Sequence, residues 1–367
     1  MHRGQSRLRY LDGLRGLAAL MVVLWHYLGP TYTAYLPYGD RYAGLPLVGE
    51  LWMGVEIFFL ISGFVIFMTI ERCSGFVDFM LRRWLRLFPT MLVASCLLFL
   101  IDRLFHWPGP EAGARWIDLI PGLTFIPPAI YHAVLHRPID SIDGVFWTLY
   151  VEMAFYVVFG LLYFRFGWKR AIAGLVLLFV AVRLWRIGLS YVHLPLILAR
   201  AVEPFEWWGV DNFGWFAAGA LFYKAHQADD RRLFALAVSV SLLSVALFNL
   251  AVGMSLPVYV GLIVVALFFA AVQRSHALQS LFAIGPMIFL GFVSYPLYLL
   301  HNNLGIGALA IFGPALFPHR PDLVIPLVMA MAILLAWVTA RFAEPWLTAR
   351  LRPVTDAIRD RLGAKSS

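Results

Sequence analysis

The sequence predicts an all-α, polytopic integral membrane protein with about ten transmembrane helices and both termini in the cytoplasm. The 367 residues are 61% hydrophobic and only 14% charged, and their mean hydropathy is +0.78. A soluble chain of this size would have too little polar material to cover its surface. Several apolar runs also reach the roughly 20 residues that a helix needs to cross a bilayer.

The ten apolar runs define the predicted spans. They cover residues 13–29, 51–70, 86–101, 145–164, 171–190, 209–224, 233–251, 256–272, 284–304 and 323–343. No internal repeat or separate soluble domain interrupts them. A short basic tail, residues 346–367, follows the last span and is predicted to be cytoplasmic.

The basic residues alternate between the two sides of these spans. With a cytoplasmic N-terminus, the inner segments hold nineteen of the 29 Lys and Arg residues and the outer loops hold six. This asymmetry follows the positive-inside rule. Contact with anionic lipid therefore explains the net charge of +8, and no nucleic-acid partner is expected. The two cysteines have no metal-site spacing, so we expect neither a disulfide framework nor a metal ion.

The first span carries an ionisable side chain towards each end. Arg15 and His26 are eleven positions apart, close to three helical turns. They therefore share one helix face and are separated by about 16 Å along the axis. Because ionisable groups are costly at membrane depth, they are functional candidates by default. We interpret this helix as supporting chemistry across the bilayer.

The inner segment after the second span, residues 79–89, carries Arg83 and Arg86 three positions apart, on one helical face at the cytoplasmic boundary where the third span begins. Guanidinium groups bind phosphate through paired hydrogen bonds, so an anionic nucleotide is a candidate ligand. The alternative is that these arginines are ordinary inner-face anchors.

The longest polar segment is the predicted outer loop from Asp102 to Gly144. It contains an apolar piece, residues 119–126, that is too short to span and is predicted to be re-entrant or interfacial. Loops of this length are usually functional or disordered.

Polar groups in the outer half of three other spans form a candidate site with His26. They are Glu56 and Ser62 in the second span, Tyr150, Glu152 and the nearby Tyr156 in the fourth, and Tyr298 and His301 in the ninth. An unpaired charge in hydrocarbon costs roughly 2.5–3.5 kcal/mol, so the ionisable members should converge on one cavity. For Glu56 and His301, pairing that merely satisfies each group remains an alternative.

Five blocks, in this order, resemble the membrane-bound acyltransferase family 3. They are LDGLRG at 11–16 with His26 eleven residues after the arginine, GVEIFFLISGF at 54–64, RRWLRLFP at 82–89, WTLYVE at 147–152 and SYPLYLLH at 294–301. The resemblance extends from about residue 8 to RFAEP at 341–345.

The resemblance implies a bacterial inner-membrane O-acyltransferase, with one transmembrane acyltransferase domain over residues 8–345. Its donor would be cytoplasmic acyl-CoA, commonly acetyl-CoA, and its acceptor a sugar hydroxyl. By the same resemblance, Arg83 and Arg86 take the place of the family's paired cytoplasmic arginines, and Arg15 and His26 that of its first-helix pair. Glu56 stands where Asp is frequent in the family, and the hydrolase-like C-terminal domain of some relatives is not expected.

Direct transfer is the reaction that suits these residues. The pantetheine arm of CoA is comparable in length to the roughly 16 Å between Arg15 and His26. No nucleophile elbow or Cys-His spacing indicates a covalent enzyme intermediate. We therefore expect His26 to remove the proton of the acceptor hydroxyl, while Glu152 orients the ring or the sugar.

Other readings of the sequence remain open at this point. A polytopic protein with intramembrane His and Glu could be an exporter or flippase of a glycan or lipid-linked substrate, although such proteins usually contain repeated halves. A purely structural or partner-binding membrane protein would not need the ionic groups. The acceptor could be a glycan, another extracytoplasmic molecule or a small secreted metabolite.

Overall fold

The computed structural model describes residues 8–191 and 200–362. Within those ranges every regular element is helical. Eight helical segments are long and apolar enough to cross a bilayer, and the number rises to ten if each of two bent helix pairs is one span. The predicted all-α, polytopic membrane fold is therefore confirmed. Residues 1–7 and 363–367, which belong to the predicted cytoplasmic ends, lie outside the described residues.

The described residues form sixteen α-helices. In chain order they are α1 (Arg9–Leu28), α2 (Gly54–Ile70), α3 (Phe76–Phe105), α4 (Leu119–Thr124), α5 (Pro128–Leu135), α6 (Trp147–Phe166), α7 (Trp168–Tyr191), α8 (Glu203–Trp207), α9 (Phe213–Ala228), α10 (Arg231–Val252), α11 (Leu256–Arg274), α12 (His276–Phe282), α13 (Gly285–Leu300), α14 (Asn302–Leu316), α15 (Ile325–Val338) and α16 (Glu344–Arg361). A π-helical segment, Thr339–Ala343, joins α15 to α16.

Helix α3 begins ten residues before the predicted span 86–101, at Phe76. Arg83 and Arg86 consequently lie within the helix and not in a loop before it. Hydropathy marks the stretch that faces lipid, whereas the helix continues through charged interfacial residues. Arg82 supports this first part of α3 through an ion pair of 2.8 Å with Asp78, one turn earlier.

The ninth predicted span, residues 284–304, is not one continuous helix. Helix α13 ends at Leu300 and α14 begins at Asn302, so His301 lies at the junction. The start of α14 is bonded to the loop that is predicted to be external, called the external loop below. Asn302 Nδ2 and the Asn303 N–H donate to the two carboxylate oxygens of Asp143 at 2.7 and 3.0 Å. An apolar run alone cannot reveal this contact with a distant loop.

The apolar piece at 119–126 forms part of a bent helix pair. Trp116–Thr124 and Pro128–Leu135 meet at 115°, the geometry of a broken span or a re-entrant loop. The predicted span 209–224 corresponds to α9, which is only 16 residues long and buried along most of its length.

Glycine contacts set the spacing between α1 and α13. A Cβ on Gly291 would lie 1.9 Å from the Asp12 carbonyl oxygen, and one on Gly16 would lie 2.7 Å from the Gly291 nitrogen. Small residues at such crossings let helix backbones approach closely within a membrane. The far end of α1, which holds His26, is thereby held beside the end of α13.

Candidate active site

Two cavities share Tyr298 and border different turns of α1, and we name them inner and outer after the predicted orientation of the chain. The inner cavity is lined by polar groups from five helices, Arg15, Ser62, Arg83, Arg86, Glu152 and Tyr298. The outer cavity is lined by the aromatic and ionisable side chains of Trp25, His26, Tyr32, Glu56, Trp147 and Tyr298. Val55 also borders both, so Val55 and Tyr298 are the two residues of the described chain that the cavities share.

The two arginines of α3 are held in different ways at the inner cavity. Arg83 Nη2 donates to the Tyr156 hydroxyl at 2.9 Å, and its guanidinium lies 4.8 Å from the centre of that ring. Arg86 Nη1 donates to Glu344 Oε1 at 2.8 Å. The other oxygen of Glu344 accepts from Thr90 at 2.9 Å. Together with Arg15, these guanidinium groups give the cavity the donors that phosphate oxygens require.

Glu152 belongs to the inner cavity and not to the neighbourhood of His26. Its Oε1 accepts from the Ser62 hydroxyl at 2.8 Å and from the Tyr156 hydroxyl. Tyr156 therefore links Glu152 to Arg83. The prediction that all the ionisable groups of the outer half share one cavity is wrong for Glu152. Thr148 of α6 contacts Tyr298, and Glu152 lies one helical turn further along α6, in the inner cavity.

His26 and His301 form a buried pair beside the outer cavity. His26 Nδ1 and His301 Nε2 are 2.7 Å apart, and the side chains are 5% and 0% exposed. The Nδ1 atom of His301 lies 2.9 Å from the Tyr298 carbonyl oxygen and 3.1 Å from that of Leu297. Only His26 of this pair lines the outer cavity.

Glu56 places a second ionisable group in the outer cavity. The residue is 7% exposed, and its Oε2 has no hydrogen-bond partner in the described part of the chain. Buried polar atoms in native structures are normally satisfied, so an oxygen of this kind suits a ligand that brings its own donor. The nearby rings of Trp25 and Tyr32 flank His26, with centroid distances of 4.7 and 5.4 Å.

The remaining predicted substrate-binding residues are distributed over three places. Tyr298 separates the cavities, and its hydroxyl accepts from Thr148 Oγ1 at 3.0 Å. Ser62 faces the inner cavity with Glu152. Tyr150 contacts Ser141 at 3.0 Å and lines a neighbouring external cavity instead. Over residues 8–191 and 200–362, no group of three or more His, Cys, Asp or Glu residues could hold a metal ion.

Sequence reasoning missed the contacts that three further residues make at the site. Glu344 holds Arg86 from a helix more than 250 positions away, and Tyr156 bridges Arg83 and Glu152. Asp143 attaches the external loop to the residues that follow His301. The sequence marks Glu344 only as a carboxylate beside Pro345 after a long apolar run. Nothing near Glu344 in the sequence indicates that it pairs with Arg86.

Comparison with known proteins agrees with the resemblance noted in the sequence. The model of the family described as an acyltransferase domain, acyltransferase family 3, matches residues 8–341. The chain is 29% identical over 161 residues to the acyltransferase MdmB of Streptomyces mycarofaciens, covering 43% of this chain and 39% of that protein. It is 29% identical over 184 residues to an O-acetyl transferase of Shigella phage Sf6, covering 47% of this chain and 51% of the phage protein.

A third relative is nodulation protein 10 of Rhizobium leguminosarum bv. viciae, 30% identical over 192 residues, which are 47% of this chain and 49% of that protein. The chain thus matches about two fifths to half of the length of these curated relatives. No solved structure matches it. Because the family model covers nearly the whole chain, this protein belongs to the acyltransferase family 3.

Proposed function

We propose that the protein is a membrane O-acyltransferase of the bacterial cytoplasmic membrane. It moves an acyl group, acetyl in the simplest case, from acyl-CoA in the inner cavity to a hydroxyl of an acceptor in the outer cavity. The observation that carries this proposal is the arrangement along α1, where Arg15 lines the inner cavity and His26 the outer one. The acyltransferase and O-acetyl transferase names of two relatives support the reaction class.

The donor set of the inner cavity fits acyl-CoA. Arg15, Arg83 and Arg86 supply cationic donors to phosphate oxygens. The apolar side chains of Val55, Phe58 and Phe59 line the same cavity and suit the less polar end of the donor. Tyr298 stands where the thioester would have to pass towards His26.

His26 supplies the base for transfer. As the acceptor oxygen bonds to the acyl carbon, its proton moves to the imidazole and the carbon–sulfur bond of the thioester breaks. The proton then neutralises the thiolate, directly or through water, so the products are the acyl ester and free CoA. Glu56 accepts a hydrogen bond from the acceptor, since its Oε2 lies buried without a partner among the described residues.

The acceptor is a hydroxyl-bearing molecule on the extracytoplasmic side, with a glycan as the first candidate. The outer cavity is lined by the aromatic side chains of Trp25, Tyr32 and Trp147, which suit the apolar face of a sugar ring. A small secreted metabolite with a hydroxyl would make the same hydrogen bonds.

The proposal is tested with purified protein in lipid nanodiscs, radiolabelled acetyl-CoA and a panel of alkyl glycosides as acceptors. We expect label in an ester product, and a 10²–10⁴-fold lower rate for His26→Gln with acetyl-CoA binding retained. If the wild type does not bind acetyl-CoA and releases no CoA with any acceptor, the acyltransferase proposal is wrong. If His26→Gln turns over like the wild type, the general-base assignment is wrong.

A further inference from the structure

The histidine pair has a fixed hydrogen-bond direction that can be traced from the backbone. His301 Nδ1 faces two carbonyl oxygens, those of Tyr298 at 2.9 Å and Leu297 at 3.1 Å. A carbonyl oxygen only accepts, so the His301 Nδ1 must carry a hydrogen and donate. In the neutral ring, the Nε2 of His301 is then an unprotonated acceptor.

This state of His301 determines the state of His26. The two rings meet through His26 Nδ1 and His301 Nε2, 2.7 Å apart and buried. Because His301 Nε2 accepts, His26 Nδ1 must donate and therefore carries the single proton of the neutral ring. The other nitrogen, His26 Nε2, is left with a lone pair on the ring that lines the outer cavity.

We propose that His301 is a positioning residue. Two backbone carbonyls fix the hydrogen on its Nδ1, and its Nε2 then holds His26 in the tautomer whose own Nε2 carries no hydrogen. The inference rests on the proposed function, in which His26 is the base. Only the Nδ1–H tautomer offers Nε2 to an acceptor hydroxyl, and the opposite tautomer would present a hydrogen there. His301 is 0% exposed and does not line the outer cavity, so it acts through His26 and does not contact the acceptor.

The pair also fits the charged state of the base. When His26 Nε2 takes the hydroxyl proton, Nδ1 keeps its hydrogen and the bond to His301 Nε2 becomes charge-assisted. The ring therefore does not have to rotate or exchange partners during the reaction. A carboxylate serves this orienting purpose in many enzymes, and here the neutral ring of His301 takes that position.

The backbone around His301 is held firmly enough for this role. The Tyr27 hydroxyl donates to the His301 carbonyl oxygen at 3.0 Å, and the Asp143 carboxylate accepts from both Asn302 and Asn303. These contacts hold His301 and the first residues of α14, and the His301 N–H donates to the Leu297 carbonyl oxygen at 3.0 Å, so the ring stays beside the carbonyls that orient it.

Two substitutions separate orientation from mere packing. In His301→Gln, the side-chain amide oxygen can accept from His26 Nδ1, whereas His301→Leu fills the space without any acceptor. We expect His301→Leu to lower kcat by about 10- to 100-fold with the KM for acetyl-CoA unchanged, and His301→Gln to recover most of that loss. Tyr38→Phe is the matched control, since it also removes one buried hydrogen bond near the end of α1, to the Tyr27 carbonyl.

The tautomer itself is read by ¹⁵N NMR of histidine-labelled protein in lipid, independently of turnover. The chain has ten histidines, so the His26 signals are assigned as those absent in His26→Gln. We expect a protonated Nδ1 and a bare Nε2 in the wild type, His301→Gln and Tyr38→Phe, and a mixture of tautomers in His301→Leu. A protonated Nε2 in the wild type, or equal loss of kcat in the Gln and Leu variants, would overturn the inference. A wild type with the expected tautomer but no acyl transfer would contradict the proposed function and leave the pairing intact.

Discussion

The cavity that a side chain faces decides which of the two proposed substrates it would contact. Ser62 and Glu152 face the inner cavity, where Glu152 is tied through Tyr156 to Arg83. Glu56 and His26 face the outer cavity. In the proposed function, Glu152 therefore fixes an arginine of the donor site, and the group that orients His26 is His301, directly after α13.

Replacement of Arg83 by Ala should weaken acetyl-CoA binding by about 10- to 100-fold, because a charge-assisted hydrogen bond contributes on the order of 1.5–3 kcal/mol. Arg83→Lys should recover only part of this, since an ammonium lacks the planar fork. Arg82→Ala is the control: Arg82 lies on the same helix but pairs with Asp78 and does not line the cavity. Binding is measured by calorimetry in nanodiscs. Wild-type affinity in Arg83→Ala would assign this residue to lipid anchoring instead.

The sequence is informative about residue types and much less so about partners. The depth of His26 and the i,i+3 spacing of Arg83 and Arg86 could be read directly, because both depend on position along one helix. The partner of Glu152 could not, since Ser62 comes from a different helix and the contact depends on how both helices are rotated. Long-range pairs such as Arg86 with Glu344 leave no local signal for the same reason.

The crossing of α1 and α13 brings His26 and His301 together. Hydropathy predicted both helices but neither the break at His301 nor the distance between them. That distance follows from Gly16 and Gly291, where one backbone lies directly against the other. The break follows from the bonds between Asp143 and the first residues of α14.

Gly291→Ala should separate α1 from α13 and disturb the histidine pair. The added methyl would lie 1.9 Å from the Asp12 carbonyl oxygen, and overpacking of this kind typically costs about 1–3 kcal/mol. We expect a lower thermal midpoint in detergent and a reduced rate of acyl transfer. Gly285→Ala, on the same helix with no atom within 4 Å of the added Cβ, is the control and should retain both. If the two variants behave alike, the glycine contact does not set the geometry of the site.

The external loop should lose protection as the pH rises, because it buries two carboxyl groups near each other. Burial, with repulsion from Asp143, raises the pKa of Glu111 from 4.5 to about 8, and burial raises that of Asp143 from 3.8 to about 6. A carboxyl group with a raised pKa stabilises the folded loop below its unfolded pKa and loses that contribution as pH rises through the folded value. For Glu111 this window runs from about pH 4.5 to about 8.

Hydrogen exchange at Gly144 measures this effect, since its N–H donates to Glu111 Oε1 at 3.0 Å. After correction for the intrinsic pH dependence of exchange, protection in the wild type should fall between pH 5 and pH 8. Glu111→Gln should show a flatter profile over the same range. Equal profiles for the two proteins would show that Glu111 is not responsible.

Helix α3 has the C-terminal helix at one end and the segment with Arg115 at the other. The C-terminal helix α16 reaches the start of α3, where Arg359 Nε lies 2.9 Å from Asp78 Oδ1. The other end of α3 leads at Phe105 into the segment that contains Arg115. The end of α16 and this segment therefore lie at opposite ends of a 30-residue helix. The basic asymmetry of the sequence predicts which end is cytoplasmic.

Reporter fusions test that orientation. A reporter that is active only outside the cytoplasm should be active when inserted near Arg115 and inactive when fused to the C-terminus. A cytoplasmic reporter should give the reverse pattern at both positions. If the external reporter is active only at the C-terminus, the orientation is the opposite of the predicted one. If it is active at both positions, the predicted number of spans between them is wrong.

In the proposed mechanism, acyl-CoA enters from the cytoplasmic side, at the arginines, and transfer depends on His26 at the outer cavity. The most direct test of this mechanism is the consumption of labelled acetyl-CoA, which does not cross membranes, by sealed vesicles of opposite orientation that contain the native acceptor. Inside-out vesicles should consume it in a manner that His26→Gln abolishes, whereas right-side-out vesicles should do so only after permeabilisation. Equal consumption by sealed right-side-out vesicles, or consumption that is unaffected by His26→Gln, would contradict the account.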